Sequence, residues 1–168
     1  MITEKIKLYN GYYNLNKLII RKKSGKKTSR EFLKNKDGVA AIVYDKNLDK
    51  YIFVSQWRPC LENYMTEIVA GSIEMNETPE QAIEKEILEE IGYKCDSIKY
   101  LTKCYVSPGV LSELIHVFYV EVSEKIADGG GLESELEEID IVYMTKSEML
   151  SSEFIDAKTL LAINMIKL

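Results

Sequence analysis

Residues 71–93 read GSIEMNETPEQAIEKEILEEIGY, and this segment carries the clearest helix signal in the chain. Thr78 is a residue type that caps helix N-termini, Pro79 suits the first helical position, and Gln81 stands where the second half of a capping box belongs. Gly92 is a natural stop, because glycine readily adopts the left-handed conformation that ends helices. The segment therefore predicts a helix that begins after Thr78 and ends before Gly92.

One face of this predicted helix is apolar. Ile83, Ile87 and Ile91 recur every four residues, with Ala82 and Leu88 alongside. Because residues at this spacing lie on one side of a helix, we expect that side to pack against a sheet.

Another side of the same helix carries three carboxylates. Glu86, Glu89 and Glu90 stand at positions i, i+3 and i+4, where like charges repel by a few tenths of a kcal/mol per pair. A divalent cation would turn this repulsion into binding, and hard oxygen ligands suit Mg²⁺ or Mn²⁺. The alternative is a solvated acidic face with local ion pairs, Glu89 with Lys85 and Glu90 with Lys94.

Around this helix the sequence predicts a mostly β domain. Short β-branched and aromatic runs are separated by turn residues, and Lys22 to Lys27, centred on Ser24-Gly25, is typical of a hairpin turn. A second helix is expected from Ala157 to the C-terminus. The predicted strands are Tyr12 to Arg21, Ser29 to Lys34, Val39 to Tyr44, Tyr51 to Trp57, Ile98 to Tyr105, Leu114 to Val122 and Ile139 to Met144.

The bulk composition limits the classes of function. A chain of 168 residues suits a single domain, and 27 acidic against 22 basic residues give a net charge of −5, without a broad positive field for nucleic acid. Three cysteines without CxxC spacing and a single histidine do not readily supply a zinc site of thiolate and imidazole ligands. The polar N-terminus and the short apolar runs predict a cytoplasmic protein with neither nucleic acid nor membrane as a partner.

The spacing of the carboxylate helix resembles the Nudix box, G-x5-E-x7-R-E-U-x-E-E-x-G-U, where U is apolar. Gly71 and Glu77 open the pattern in this chain, and residues 85–93 close it. The single departure is Lys85 in place of Arg, which keeps the positive charge and loses the planar fork that could clamp a neighbouring glutamate.

Segments outside the box resemble the ADP-ribose pyrophosphatase branch of the Nudix hydrolases. Gln56-Trp57-Arg58-Pro59 is similar to its Q-aromatic-R element, and Glu67-Ile68-Val69-Ala70-Gly71 is similar to its E-I-P-A-G. Ser107-Pro108-Gly109 with Glu113 resembles S-P-G-x-x-x-E. The Gly129-Gly-Gly131 turn with the acidic run after it, and Asp156-Ala-Lys-Thr159, resemble the closing loop and helix of the branch.

This resemblance implies an α+β fold, with an α/β/α sandwich around a mixed sheet and an N-terminal antiparallel strand extension. It divides one domain, residues 1–168, into a dimerising extension at 1–36 and a catalytic core at 37–168. It also implies a homodimer, whose Tyr9, Tyr12 and Tyr13 are candidates for stacking on a base, although core or interface packing is the simpler role for each.

The same resemblance assigns site residues. Arg58 and Glu113 are expected to hold the substrate, together with Glu67. Glu135 is expected to be the general base, with Glu89 and Lys85 also in the catalytic group. The expected metal ligands are the Ala70 carbonyl and the side chains of Glu86, Glu89, Glu90 and Glu137.

The implied activity is the metal-dependent hydrolysis of a nucleoside diphosphate sugar, with ADP-ribose giving AMP and ribose 5-phosphate. GDP-mannose or UDP-glucose is the alternative substrate, because the metal ligands do not contact the base or the sugar. Two other hypotheses are a regulator that binds ADP-ribose without cutting it, and a structural β domain with an acidic surface helix.

Overall fold

The computed structural model describes residues 1–131 and 138–166. Contacts between Cα atoms divide the chain into two compact units, one formed by Met1–Asp37 with Tyr105–Leu114 and the other by Gly38–Cys104 with Ile115–Leu168. None of the helices in the described part of the chain combines the length and the hydrophobicity that a membrane span requires. The division into an extension at 1–36 and a core at 37–168 remains a prediction.

The first unit contains a three-stranded antiparallel sheet in the order β1-β2-β3. The expected hairpin turn between β2 and β3 is confirmed, since Lys22 N donates to Lys26 O at 2.9 Å and Gly25 has a φ of +82°. The loop of residues 105–114 joins the end of β3, where Leu33 N donates to Val110 O at 2.7 Å. The strands are β1 Ile2–Asn10, β2 Asn14–Arg21 and β3 Lys27–Lys34.

The second unit is built on a seven-stranded mixed sheet. Its main order is β10-β5-β4-β9-β8, with β6 paired to β5 and β7 paired to β4. The central strand β4 is parallel to β9 and antiparallel to β5 and β7. The strands are β4 Gly38–Asp45, β5 Lys50–Arg58, β6 Asn63–Glu67, β7 Val69–Ser72, β8 Tyr93–Tyr105, β9 Leu114–Lys125 and β10 Ile139–Met144.

Alternation along β4 separates two apolar cores. Val39, Ala41 and Val43 pack in the cluster that contains the isoleucines of α1, Pro79–Ile91. Ala40 and Ile42 pack in a second cluster, which contains residues of α2, Lys146–Ser151, and α3, Ala157–Ile166. Helices therefore cover both faces of a mixed sheet, and the expected α/β/α sandwich is confirmed.

The first helix has the termini that the sequence predicts. Thr78 and Gln81 form a reciprocal capping box, Pro79 is the first helical residue, and Gly92 ends the helix with a φ of +78°. Ala82 and the three isoleucines are fully buried. Leu88 is 41% exposed, so its expected place on the buried face is wrong.

The sequence did not predict β1, β6, β7 or α2 as separate elements. The most important omission is the bend at Ile68, where the chain leaves β6, which pairs with β5, and enters β7, which pairs with β4. The side-chain oxygen of Thr159 in α3 accepts the Ile68 N–H at 3.0 Å, which satisfies a buried donor at the bend. Because of this bend, Glu67 lies at the end of β6, which pairs with β5, and Ala70 lies in β7, which pairs with β4.

Candidate active site

The acidic side of α1 is partly buried. Glu90 is only 6% exposed, Glu86 and Glu89 are half-buried, and Lys94, the expected partner of Glu90, is exposed. A charged side chain inside a protein requires compensation, so burial of Glu90 argues against a purely solvated acidic face.

Gly71 brings backbone against one of these carboxylates. A Cβ atom at this position would lie 1.9 Å from Glu86 Cδ and 2.0 Å and 2.4 Å from its two carboxylate oxygens. Only glycine leaves room for the carboxylate in this position. Ala70 precedes Gly71 in β7, so its backbone carbonyl belongs to the strand that passes the Glu86 side chain.

Lys85 lies among the carboxylates of the box. Its Nζ is 3.5 Å from Glu89 Oε2. Burial lowers the pKa of Lys85, but the carboxylates of Glu89, Glu86 and Glu77 outweigh burial and raise it. Lys85 therefore provides the positive charge that the family's arginine would provide. Its ammonium group cannot form the two parallel hydrogen bonds of a planar guanidinium.

Arg58 and Glu67 form a forked ion pair between the end of β5 and the end of β6. Arg58 Nε donates to Glu67 Oε1 at 2.6 Å, and Nη2 donates to Oε2 at 3.1 Å. The hydrogen bonds to Glu67 raise the pKa of Arg58, burial opposes the rise, and the charge of Glu90 adds to it. Glu90 on α1 thus acts electrostatically on the arginine that was expected to hold the substrate.

Two residues of this cluster were missing from the predicted site. Lys158 Nζ binds Glu67 Oε2 and also donates to Asp156 Oδ1 at 2.9 Å. The sequence signal was present in Asp156-Ala-Lys-Thr159, which the resemblance identified as a closing segment without giving its side chains a role.

Glu113 belongs to the first compact unit, where Asn35 Nδ2 donates to its Oε1 at 2.7 Å. Glu135 and Glu137 lie outside the described residues. The roles expected for all three remain predictions.

Within residues 1–131 and 138–166, no group of three or more His, Cys, Asp and Glu side chains is placed to hold a metal ion as it stands. The donor chemistry nevertheless fits a hard divalent cation, because it combines the buried Glu90 carboxylate with the Glu86 carboxylate packed against Gly71. Both side chains project from one helix at a spacing of four residues.

The model of the NUDIX domain family matches residues 34–162 of the chain. The chain is 35% identical over 149 residues to the ADP-ribose pyrophosphatase of Bacillus subtilis (strain 168), an alignment that covers 86% of the chain and 80% of that protein. It is 30% identical over 149 residues, with the same coverage, to the methanol dehydrogenase activator of Bacillus methanolicus. It is 31% identical over 180 residues to the GDP-mannose pyrophosphatase of Salmonella arizonae, which covers 99% of the chain and 93% of the relative.

The fold has a close match among solved structures. The crystal structure of an ADP compounds hydrolase aligns with a TM-score of 0.83 at 16% identity, over 99% of this chain and 91% of that chain. At this identity the likeness concerns the fold alone. The family match, together with relatives at 30% identity or more, shows that the chain belongs to the NUDIX domain family.

Proposed function

We propose that this Nudix chain hydrolyses the pyrophosphate of nucleoside diphosphate sugars, with ADP-ribose as the principal substrate. The observation that carries the proposal is the arrangement around α1. This helix holds one carboxylate against Gly71 and a second, buried carboxylate within electrostatic reach of the Arg58 guanidinium. A pyrophosphate needs both a site for a divalent cation and a fixed positive group.

The names of the relatives support this substrate class. One relative is called an ADP-ribose pyrophosphatase and another a GDP-mannose pyrophosphatase. For ADP-ribose the products are AMP and ribose 5-phosphate. GDP-mannose and UDP-glucose remain the alternative substrates.

We assign the metal site to Glu86, Glu89, Glu90 and the Ala70 carbonyl, with Mg²⁺ as the ion and Mn²⁺ as its substitute. When bound, the cation neutralises phosphate oxygens and makes a water molecule more acidic. Lys85 holds Glu89 and reduces the repulsion between the helix carboxylates.

Arg58 is assigned to substrate binding, with Glu67 holding its guanidinium. The fork to Glu67 uses Nε and Nη2, so Nη1 is the nitrogen outside the fork, and a phosphate oxygen is a suitable acceptor for it. The other residues stay as the sequence predicts: Glu113 holds the substrate, Glu135 is the general base, and Glu137 is an additional ligand. We also propose, from the sequence, that the protein is a homodimer and lies in the cytoplasm.

The substrate assignment is tested by comparing kcat/KM for ADP-ribose, GDP-mannose and UDP-glucose with Mg²⁺ present, following nucleotide release by chromatography. We expect ADP-ribose to give the highest value, by at least about tenfold, a difference of about 1.4 kcal/mol in transition-state binding. A higher value for GDP-mannose or UDP-glucose would transfer the assignment to that substrate. Binding of ADP-ribose without release of AMP would support the non-catalytic regulator.

A further inference from the structure

The N-terminus of α3 contacts the Arg58 and Glu67 pair through Lys158. We propose that Lys158 is a positioning residue that acts through Glu67 to fix the Arg58 guanidinium for the substrate's pyrophosphate. The inference rests on the proposed function, because it assigns a role to Arg58 at that same site.

The contacts form a chain of alternating charges. Glu67 Oε2 accepts from both Arg58 Nη2 and Lys158 Nζ, and Lys158 Nζ also donates to Asp156 Oδ1. The Glu67 and Asp156 side chains are 4% and 13% exposed, and that of Lys158 is 14% exposed. Two cations therefore balance two anions. The Arg58 side chain is 37% exposed, but the other three are largely shielded from water, and an unmatched charge among them would be costly.

The backbone of α3 holds this lysine in place. Asp156 Oδ2 accepts from the backbone N of Thr159 at 2.9 Å and from its hydroxyl at 2.7 Å. The same hydroxyl accepts the N–H of Ile68, the residue that follows Glu67. The helix terminus thus restrains Glu67 through its side chain and through the next peptide group.

Removing Lys158 would leave an excess negative charge next to Glu67. The Lys158 charge is one of the causes that keep the pKa of Glu67 low against the opposing effect of burial. Without Lys158, Glu67 Oε2 would keep only one of these two charged donors, so the carboxylate that holds both nitrogens of the Arg58 fork would be less restrained. The guanidinium would then sample several orientations, and ordering it would cost part of the substrate's binding free energy.

The experiment compares Lys158→Met with Lys158→Arg, each in the parent chain and in an Arg58→Met background. We expect Lys158→Met to raise KM by about tenfold with kcat nearly unchanged, as the loss of a uniform binding contact does. Lys158→Arg should restore KM to within about threefold, because it keeps a cationic donor for Glu67. In the Arg58→Met background, Lys158→Met should cause no further rise, because the two residues act as one unit.

A general loss of stability is controlled by Met149→Ala. Met149 is a buried core residue of α2 on the same side of the sheet as α3, and we expect its replacement to lower the melting temperature while KM stays unchanged. An equal rise in KM caused by Lys158→Met in both backgrounds would overturn the proposal. So would a Lys158→Met variant that is less stable but has the parent KM.

A second measurement separates this inference from the proposed function. The Arg58 Nε–H signal in a ¹⁵N NMR spectrum, identified by its loss in Arg58→Lys, should exchange slowly with water in the parent and in Lys158→Arg, and faster in Lys158→Met. If the parent cleaves no nucleotide sugar, the proposed function fails while this signal still tests the role of Lys158. Equally slow exchange in Lys158→Met would refute that role.

Discussion

Glu67 illustrates how one buried carboxylate can organise a site. It is 3% exposed and accepts hydrogen bonds from both Arg58 and Lys158. Burial raises the pKa of Glu67, but the two cations outweigh burial, and the resulting pKa lies below the ordinary value of a glutamate. The carboxylate is therefore held in its charged form inside the protein.

This shift predicts a dependence of stability on pH. Because the folded-state pKa of Glu67 is lowered, its ionised form stabilises the fold fully above the ordinary glutamate pKa, and this contribution is lost as pH falls through the folded-state pKa. We expect the free energy of unfolding of the parent to fall more steeply between about pH 5 and pH 3 than that of Glu67→Gln, measured by urea denaturation. Parallel curves for the two proteins would show that Glu67 is not coupled to folding in this way.

Replacement of Glu90 tests the proposed metal site. Glu90→Gln removes one charge at nearly constant volume, and we expect turnover at low Mg²⁺ to fall by more than about 10²-fold, because changes to groups that merely support metal ligands already cost about 10- to 100-fold. Glu84→Gln is the matched control, since Glu84 is exposed on the same helix. Far-ultraviolet circular dichroism should show that both variants fold, and full activity of Glu90→Gln would remove Glu90 from the site.

Among the elements, the helix α1 could be predicted closely and the bend between β6 and β7 could not. The termini of α1 depend on local interactions, the box of Thr78 with Gln81 and the left-handed Gly92, which the sequence shows directly. The change of partner at Ile68 depends on Thr159, which is 91 residues away in the chain. No local pattern reports a contact of that range.

Contacts between residues far apart in the sequence also limited the prediction of the candidate site. Arg58, Glu67 and the helix glutamates could be named because they match a spaced motif. Lys158 could not be given a role, because its contact with Glu67 again spans 91 residues and appears only when α3 packs on the sheet. Leu88 was misplaced because helical spacing puts it at the margin of the apolar face, where packing decides its exposure.

Gly71 and Gly92 stand near opposite ends of the motif, and replacing each by alanine should change stability and activity in different proportions. In Gly71→Ala the three atoms nearest the new Cβ all belong to the flexible end of Glu86, so we expect a small loss of stability and a large loss of activity and metal affinity. In Gly92→Ala the Cβ would lie 2.0 Å from the Ala127 carbonyl oxygen, and the residue has a positive φ. We therefore expect Gly92→Ala to cost more than about 1 kcal/mol of stability.

Thermal denaturation and Mg²⁺-dependent kinetics of the two alanine variants check this contrast. The opposite pattern, an active Gly71→Ala enzyme of reduced stability, would mean that Glu86 does not need its place beside the strand.

For the whole molecule, the net charge of −5 conceals an uneven distribution. Residues 1–37 hold 11 of the 22 Lys and Arg residues but 3 of the 27 Asp and Glu residues, a formal charge of +8, and the remaining residues carry −13. The net-charge argument against polyanion binding therefore applies to the chain as a whole and not to this N-terminal segment. A contact between the basic segment of one copy and the acidic remainder of another would be electrostatically complementary.

The predicted homodimer is tested by light scattering of the full chain at micromolar concentration. We expect a mass of twice 19.3 kDa at low salt. We also expect dissociation to become easier as the salt concentration rises, because exposed charges are screened. A mass of 19.3 kDa at every salt concentration would contradict the dimer.

The activity proposed for the whole molecule is the metal-dependent hydrolysis of ADP-ribose at its pyrophosphate. The most direct measurement is mass spectrometry of ADP-ribose incubated with the protein in ¹⁸O-water, with Mg²⁺ or with EDTA. We expect AMP and ribose 5-phosphate with Mg²⁺, a single ¹⁸O atom on the phosphate of one of the two products, and no cleavage with EDTA. Intact ADP-ribose with Mg²⁺ present would refute this activity, and equal cleavage in EDTA would refute its dependence on a metal ion.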